Sequence, residues 1–178
     1  EAPVPIVKVN KANIVLGGAG NVIHNLIALG ADADLISVMG DCETSSEAIS
    51  LLKDINVETD YIVLEKNRIT SKKTRIISSQ QQVLRFDREC TKTIDKSSQN
   101  FILKYFDNII HNYDCVLFSD YGKGLFSNKL TQSLIQIANS QNIKVLIDPK
   151  GSNYKKYTGA YLLTPIKKEA IETTGINM

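Results

Sequence analysis

Tryptophan is absent from this 178-residue chain, which has only four prolines, two histidines and three cysteines. The cysteines (Cys42, Cys90 and Cys115) are odd in number and far apart, so they indicate neither a disulfide framework nor a zinc site. They favour a reducing, cytoplasmic environment. His24 and His111 both fall in helical patterns. We therefore expect core or surface positions for them rather than catalytic ones.

The chain also lacks a charge excess of either sign and a long hydrophobic run. Lys and Arg number 21 against 19 Asp and Glu, which gives a net charge of +2. This balance argues against a nucleic-acid or membrane-surface partner. No apolar run approaches the ~20 residues of a membrane span, and no signal peptide is evident. Length and a hydrophobic content of 43% fit one ordinary globular domain.

Short apolar runs alternate with helical patterns along most of the chain. We predict strands at 35–39, 61–64, 115–118, 145–147 and 161–163, after an extended edge segment at 4–9. Helices are predicted after Gly20, at 43–55, at 95–110, after the cap residue Ser127, and after Pro165. The alternation predicts an α/β fold with a mostly parallel sheet covered by helices on both faces.

A glycine-rich run at residues 17–20 (GGAG) lies between an apolar run and the first helical pattern. Glycines in this position let a ligand approach the backbone, and the free N–H groups at a helix start favour anions or sugar oxygens. A tight turn that only packs the helix is the alternative. The spacing fits neither a Rossmann fingerprint nor a P-loop.

Residues 70–87 are rich in β-formers and have a polar centre at 78–81, which predicts an antiparallel hairpin. Lys73 and Arg75 share one face because side chains alternate along a strand. Arg85 joins that face if the turn is odd or a bulge interrupts the pairing, and lies opposite if the turn is even. The alternative is a solvated edge whose charges prevent aggregation.

Three predicted strands end in polar residues: Ser119-Asp120, Asp148, and Thr164 with Glu169 one turn later. Ligands of open α/β sheets bind at the carboxyl ends of the strands, so these residues are expected on one rim. A single aspartate there is otherwise a helix cap or turn former.

Lys123 and Lys150 each stand next to a glycine, which leaves an ammonium free to reach a phosphate. In phosphoryl transfer the protein mainly positions groups and neutralises charge, so lysines around a magnesium nucleotide are the expected apparatus.

Several motifs, in order along nearly the whole chain, resemble the ribokinase-like (PfkB) family of carbohydrate kinases. They are EAPVP, GGAGN with Gly30, MGD, a hairpin with KTR and QQVLRFD, then SDYGKG, LIDPKG and LLTP. Together they are most similar to the subgroup that phosphorylates D-glycero-β-D-manno-heptose 7-phosphate. The resemblance implies a three-layer αβα fold with a β lid formed by residues 1–13 and 60–90. Residues 1–178 are expected to be the N-terminal part of that domain.

The resemblance also implies roles in substrate binding. In this family the glycine loop holds sugar hydroxyls, which implicates Gly17, Gly18 and Asn21, and Asp120 is expected to contact the substrate as well. The lid covers the sugar and contributes to a homodimer. Its cations face the 7-phosphate dianion, and the matching residues are Lys73, Arg75 and Arg85.

For the nucleotide side, the resemblance implies ATP and Mg²⁺ as cofactors, with Lys150, Lys123 and Glu169 around the phosphates. The family orders the metal through an N-x-x-E sequence, in which Ile166 here replaces the asparagine. No direct metal ligand is expected in this chain. The catalytic aspartate of the family's GAGD loop is expected beyond Met178. The implied reaction transfers the γ-phosphate of ATP to the anomeric hydroxyl, giving the 1,7-bisphosphate used in ADP-heptose and lipopolysaccharide core synthesis.

Three other functions remain open from the residues alone. Another PfkB kinase, for a fructose phosphate or a nucleoside, differs in the lid, because a nucleoside needs no clustered cations. A non-catalytic binding or dimerisation module would not bring Asp120 and Asp148 to the glycine loop. An NAD-dependent oxidoreductase would require the fingerprint spacing that this chain lacks.

Overall fold

The structure, a computed structural model, describes residues 6–176. Five helices lie at α1 (Ala19–Ala28), α2 (Glu43–Lys53), α3 (Lys96–Ile109), α4 (Asn128–Ser140) and α5 (Lys167–Thr174). Seven strands lie at β1 (Ser37–Gly40), β2 (Ile62–Glu65), β3 (Lys72–Ser78), β4 (Gln81–Arg88), β5 (Cys115–Ser119), β6 (Lys144–Asp148) and β7 (Leu162–Leu163). Short 3₁₀ helices occupy Ile110–Asn112 and Tyr154–Tyr157.

The predicted helices and strands in the body of the chain are confirmed, with shifts of a few residues at their ends. Gly30 adopts a φ of +86° after α1, the left-handed geometry that commonly follows a helix. Ser127 caps α4, because its side chain accepts a hydrogen bond from Leu130 N at 3.3 Å. Part of the extended segment predicted at 4–9 lies outside the described residues, and residues 6–17 form neither helix nor strand.

The strands form three hydrogen-bonded groups in the described part of the chain. Strand β1 pairs in parallel with β2, and β5, β6 and β7 form a parallel group in that order. The antiparallel pair β3–β4 is separate. The α/β class with mostly parallel strands is therefore confirmed. Strand β2 pairs with β1 and not with the hairpin, whose first strand begins at Lys72.

Two apolar cores hold the body together. The larger contains Phe106 of α3, Leu134 of α4 and Val145 of β6, and the smaller contains Ile23, Leu52 and Val57. The partly buried Val38 of β1 packs against the larger core and its neighbour Met39 against the smaller one, so β1 lies between the two cores.

Helices α3 and α4 cover one face of the β5–β7 group. Leu117 and Leu162 on the other face of this group are 40% and 45% exposed. Within residues 6–176, no helix is long and apolar enough to cross a bilayer.

Candidate functional site

The carboxyl ends of β5, β6 and β7 form one rim, as their polar ends predicted. The parallel register pairs Ser119 with Asp148. Beyond it, Asp120 N donates to Asp148 O at 3.0 Å, and Thr164 N donates to Ile147 O at 3.0 Å. Residues that are far apart in sequence therefore lie side by side because parallel strands end at the same edge of a sheet.

The glycine loop reaches this rim through Tyr121. Gly18 has φ +53° and ψ −131°, a conformation essentially restricted to glycine. A Cβ atom on Gly18 would lie 3.6 Å from the Tyr121 ring. Gly17 and Asn21 are exposed beside it, and no atom lies within 4 Å of a Cβ position on Gly17. The loop thus presents bare main chain next to the residue that follows Asp120.

Lys150 continues the rim on the far side of Tyr121. Gly122, with φ +66°, faces the Lys150 side chain, whose Cγ would lie 3.5 Å from a Cβ atom. The Lys150 ammonium donates to Glu169 Oε1 at 2.8 Å. Gly18, Tyr121, Gly122, Lys150 and Glu169 are therefore successive neighbours along the rim.

Glu169 is nearly buried and doubly engaged. Besides Lys150, its Oε2 accepts a hydrogen bond from Ile166 N at 3.3 Å, at the start of α5. The hydrogen bond from Lys150 lowers the pKa of Glu169, and the same bond raises the pKa of Lys150. Burial, followed by the charge of Glu169, raises the pKa of Asp148. Two carboxyl groups therefore interact at this end of the rim.

Asp120 is 4% exposed and accepts three hydrogen bonds. Gly122 N donates to its Oδ1 at 2.7 Å, whereas Lys156 Nζ and the Tyr157 hydroxyl donate to its Oδ2 at 2.6 and 2.7 Å. A carboxylate offers about four acceptor sites, so one remains. Contact between Asp120 and a substrate stays a prediction.

Lys123 pairs with a different carboxylate from the one that pairs with Lys150. Its ammonium lies 2.6 Å from Glu89 Oε2, just after β4, and this hydrogen bond lowers the pKa of Glu89. The charges of Lys73 and Arg85 lower that pKa further. The base of the hairpin and its cations are thus electrostatically linked to the loop after β5.

A bulge decides the position of Arg85 on the hairpin. The turn at Ser79-Gln80 has two residues. Without a bulge, this turn would place Arg85 on the opposite face of the hairpin from Arg75. The register shifts between Ile76 and Ile77, so Arg75 pairs directly with Arg85 and Lys73 pairs with Asp87. Directly paired residues share a face, and Lys73, Arg75 and Arg85 are all exposed there. Their role in phosphate binding stays a prediction.

Two buried charges near the rim were not found from the sequence. Arg68 and Glu65 form an ion pair at 3.4 Å with side chains only 7% and 8% exposed. Arg68 also donates to Lys92 O at 3.2 Å and to Lys123 O, and Glu65 accepts from Asp95 N at 2.8 Å. The charged sequence around Arg68 indicates only a solvated loop, so no local pattern signals this pair.

Two carboxylates, those of Asp148 and Glu169, lie near Lys150. Among the described residues, no group of three or more His, Cys, Asp or Glu side chains could hold a metal ion. Asp148 and Glu169 are both oxygen donors. Burial raises the pKa of Asp148, and the charge of Glu169 raises that pKa further. Such a pair suits a hard divalent cation that keeps most of its water ligands.

Comparison with known proteins matches residues 2–178 to the family described as pfkB family carbohydrate kinase. The chain is 51% identical to the bifunctional protein HldE of Aliarcobacter butzleri and 49% identical to that of Sulfurimonas denitrificans. Each match covers all of this chain and 37% of the relative. The chain therefore spans about two fifths of these relatives' length.

Solved structures agree on the fold. A putative ribokinase from Agrobacterium tumefaciens superposes with a TM-score of 0.69 at 16% identity, covering 100% of this chain and 57% of that one. Phosphofructokinase-2 of Escherichia coli, in a tetrameric inhibited form, gives a TM-score of 0.67 at 19% identity, covering 89% of this chain and 52% of that one. The chain belongs to the pfkB family of carbohydrate kinases.

Proposed function

We propose that the complete protein is an ATP-dependent sugar-phosphate kinase whose substrate is D-glycero-β-D-manno-heptose 7-phosphate. The γ-phosphate of ATP passes to the anomeric hydroxyl and gives the 1,7-bisphosphate, a precursor in ADP-heptose and lipopolysaccharide core synthesis. The observation that carries the proposal is the proximity of Gly18 to Tyr121, whose ring lies 3.6 Å from a Cβ position on Gly18, because it brings the glycine loop to the rim that holds Lys150. A non-catalytic module would not need this convergence.

The sugar is proposed to lie against Gly17, Gly18 and Asn21. Exposed main chain and a side-chain amide suit neutral hydroxyls, which need both donors and acceptors. Asp120, with about one acceptor site left, is proposed as a further hydroxyl contact.

The cationic face of the hairpin, defined as Lys73, Arg75 and Arg85, is proposed to hold the 7-phosphate. Arg75 and Arg85 are direct cross-strand partners, so one dianion can contact both guanidinium groups. This pairing favours a sugar phosphate over a nucleoside.

Lys150 and Lys123 are proposed to neutralise the nucleotide phosphates. Each ammonium is now held by one carboxylate, Glu169 or Glu89, and each carboxylate would exchange its lysine for water or metal as ATP binds. Asp148 and Glu169 would hold Mg²⁺ through its water ligands. The metal supplies charge neutralisation of the transferring phosphate. We place the reaction in the cytoplasm, since the three cysteines are free thiols.

Calorimetric titration of the complete protein tests the substrate. We expect heptose 7-phosphate to bind more tightly than fructose 6-phosphate. Arg75→Met with Arg85→Met should weaken heptose 7-phosphate binding by about a hundredfold, since each charge-assisted contact contributes roughly 1.5 kcal/mol or more.

Arg88→Met is the matched control for the titration. Arg88 lies on the same strand as Arg85 but pairs with Lys72 on the opposite face, so its loss should leave affinity unchanged. Tighter binding of fructose 6-phosphate would remove the heptose assignment. If Arg88→Met weakened heptose 7-phosphate binding as much as the double variant, the assignment of the cationic face would be withdrawn.

We also propose that the hairpin's other face forms a homodimer contact. Leu84 and Phe86 on that face are 52% and 49% exposed, which is high for large apolar side chains placed together. We expect the complete wild-type protein to be a dimer by light scattering and Phe86→Lys to be a monomer. An unchanged mass for Phe86→Lys would contradict this contact.

A further inference from the structure

Behind the rim, the hydroxyl of Tyr157 bridges two loops of the proposed nucleotide site. It accepts a hydrogen bond from Lys150 N at 3.2 Å and donates one to Asp120 Oδ2 at 2.7 Å. The residue is 2% exposed, so both hydrogen bonds are shielded from water. One hydroxyl therefore fastens the main chain of the Lys150 loop to the carboxylate that also holds Gly122.

The ring that carries this hydroxyl is itself firmly placed. Tyr157 ends the 3₁₀ helix Tyr154–Tyr157, which packs against α4. Gln132 of α4 clamps the same segment, since its side-chain amide donates to Lys156 O at 2.8 Å and to Thr158 O at 3.1 Å. The position of the Tyr157 hydroxyl is thus fixed by the packing and hydrogen bonds of its own segment.

The Lys150 loop needs a fixed contact of this kind. Pro149 has no N–H, so Lys150 N is the first main-chain donor after β6. Gly151 follows with φ +80° and open space around it. The Lys150 side chain is 54% exposed, and its ion pair with Glu169 must open if the ammonium is to reach a phosphate.

Lys156 strengthens the bridge from the other side. Its ammonium lies 2.6 Å from Asp120 Oδ2, the oxygen that accepts from Tyr157, and its side chain is only 14% exposed. Asp120 Oδ1 meanwhile holds Gly122, which faces the Lys150 side chain. The buried Asp120 carboxylate therefore positions Lys150 in two ways: its main chain through the Tyr157 hydroxyl, and its side chain through Gly122.

We propose that Tyr157, supported by Lys156, is a positioning residue that fixes the Lys150 loop at the place where Lys150 meets the nucleotide phosphates. The inference rests on the proposed kinase function for the identity of the ligand. Tyr157 touches no reacting atom and acts through Lys150. Its loss should therefore act mainly on the ATP side of the reaction, with a smaller effect on sugar binding through Asp120, which loses one hydrogen bond.

The test uses the complete protein with Tyr157→Phe, which removes the hydroxyl and keeps the buried ring. Tyr154→Phe is the matched control. It lies in the same 3₁₀ helix, and its buried hydroxyl faces Thr173 rather than Asp120 or Lys150 N. We expect Tyr157→Phe to lower kcat/KM for ATP by about tenfold and to change KM for the sugar phosphate by less than about threefold, and Tyr154→Phe to match the wild type.

Two further measurements separate positioning from a merely structural role. Hydrogen exchange at the Lys150 amide should be faster in Tyr157→Phe than in Tyr154→Phe. Lys156→Met should reproduce the ATP defect, and Lys156→Arg should restore most of it because the charge is kept. A lower melting temperature with unchanged kinetics and unchanged exchange at Lys150 would overturn the inference.

The wild-type protein distinguishes this failure from failure of the proposed function. If the wild type phosphorylates another sugar, the heptose assignment fails while the ATP comparison between the two phenylalanine variants still decides the role of Tyr157. If the wild type transfers no phosphate from ATP to any sugar, both proposals are withdrawn.

Discussion

At the residue scale, the site depends on backbone conformations and ion pairs that single side chains control. The clearest case is Gly18, whose φ of +53° and ψ of −131° form a conformation that other residues rarely adopt. A side chain at this position would be strained by its backbone, although its Cβ atom would make only an ordinary contact with the Tyr121 ring, at 3.6 Å. Gly17 next to it has no such strain.

Gly18→Ala should therefore destabilise the complete protein by about 2 kcal/mol, since such conformations cost of order 1–3 kcal/mol for other residues. Gly17→Ala is the control and should change stability by less than about 0.5 kcal/mol. Urea unfolding at constant pH measures both. Equal midpoints for the two variants would contradict the backbone assignment at Gly18.

Glu169 determines a pH dependence of stability through its ion pair with Lys150. Its pKa in the folded protein lies below the unfolded value, so its contribution is present above the unfolded pKa of about 4.5 and is lost as pH falls through the folded value. Lys150 has a raised pKa, so its contribution is lost only at alkaline pH. Between these limits the pair is intact.

We expect Glu169→Gln to lower the melting temperature at neutral pH and to bring it closer to that of the wild type as pH falls toward about 3. Glu172→Gln is the control on the same helix, because Glu172 is 51% exposed and lies 3.8 Å from Lys168. Exposed pairs of this kind contribute little. A constant difference in melting temperature between wild type and Glu169→Gln across this range would refute the assignment.

At the scale of elements, the β3–β4 hairpin combines a strained turn with a bulge. Ser79 and Gln80 both have positive φ, +48° and +69°, in a two-residue turn. This geometry corresponds to a type I′ turn, which favours Asn-Gly. The strands themselves are mostly exposed, so the turn and the cross-strand pairs carry much of the hairpin's local stability.

Replacing Ser79-Gln80 with Asn-Gly should stabilise the hairpin by about 1 kcal/mol, because the left-handed conformations then carry less strain. Hydrogen exchange measures this locally. Amides of β3 and β4 should exchange about fivefold more slowly. Amides of α4 serve as the internal control and should be unchanged. Faster exchange in the hairpin would mean that the turn is not of this type.

At the scale of the whole molecule, the Glu65–Arg68 pair links the end of β2 to the start of α3 and to the loop after β5. Glu65 ends β2 and holds the first turn of α3 through Asp95 N. Arg68 donates to the main-chain oxygens of Lys92, between the hairpin and α3, and of Lys123, in the loop after β5. Loss of one partner leaves the other charge buried, which is more costly than loss of both.

Arg68→Met should therefore destabilise the complete protein by about 3 kcal/mol, whereas adding Glu65→Met to it should restore part of the loss. A double-mutant cycle from urea unfolding should give a coupling of about 2 kcal/mol. Lys72→Met with Glu47→Met is the control, since that pair at 3.0 Å is 39% and 30% exposed. A coupling no larger than the control's would contradict the buried bridge.

Much of the fold and part of the site follow from local patterns. The hydrophobic periodicity identified the helices α2 to α4 and the strands β5 and β6, and the cap at Ser127 and the glycine at 30 act within a few residues of chain. The polar strand ends met at one rim because parallel strands share an edge. By contrast, one bulge set the face of Arg85, and a bulge has no reliable signature in side-chain alternation.

The sequence by itself determined the α/β class, the order of elements, the glycine loop before α1 and the family to which the chain belongs, because each depends on periodicity, turn chemistry or motifs in order. Only the tertiary structure decided that Gly18 lies on Tyr121, that Arg68 and Glu65 are buried together, and that Tyr157 links Lys150 to Asp120. These contacts join segments distant in the chain. Their formation depends on how strands and helices pack in three dimensions, which no local pattern encodes.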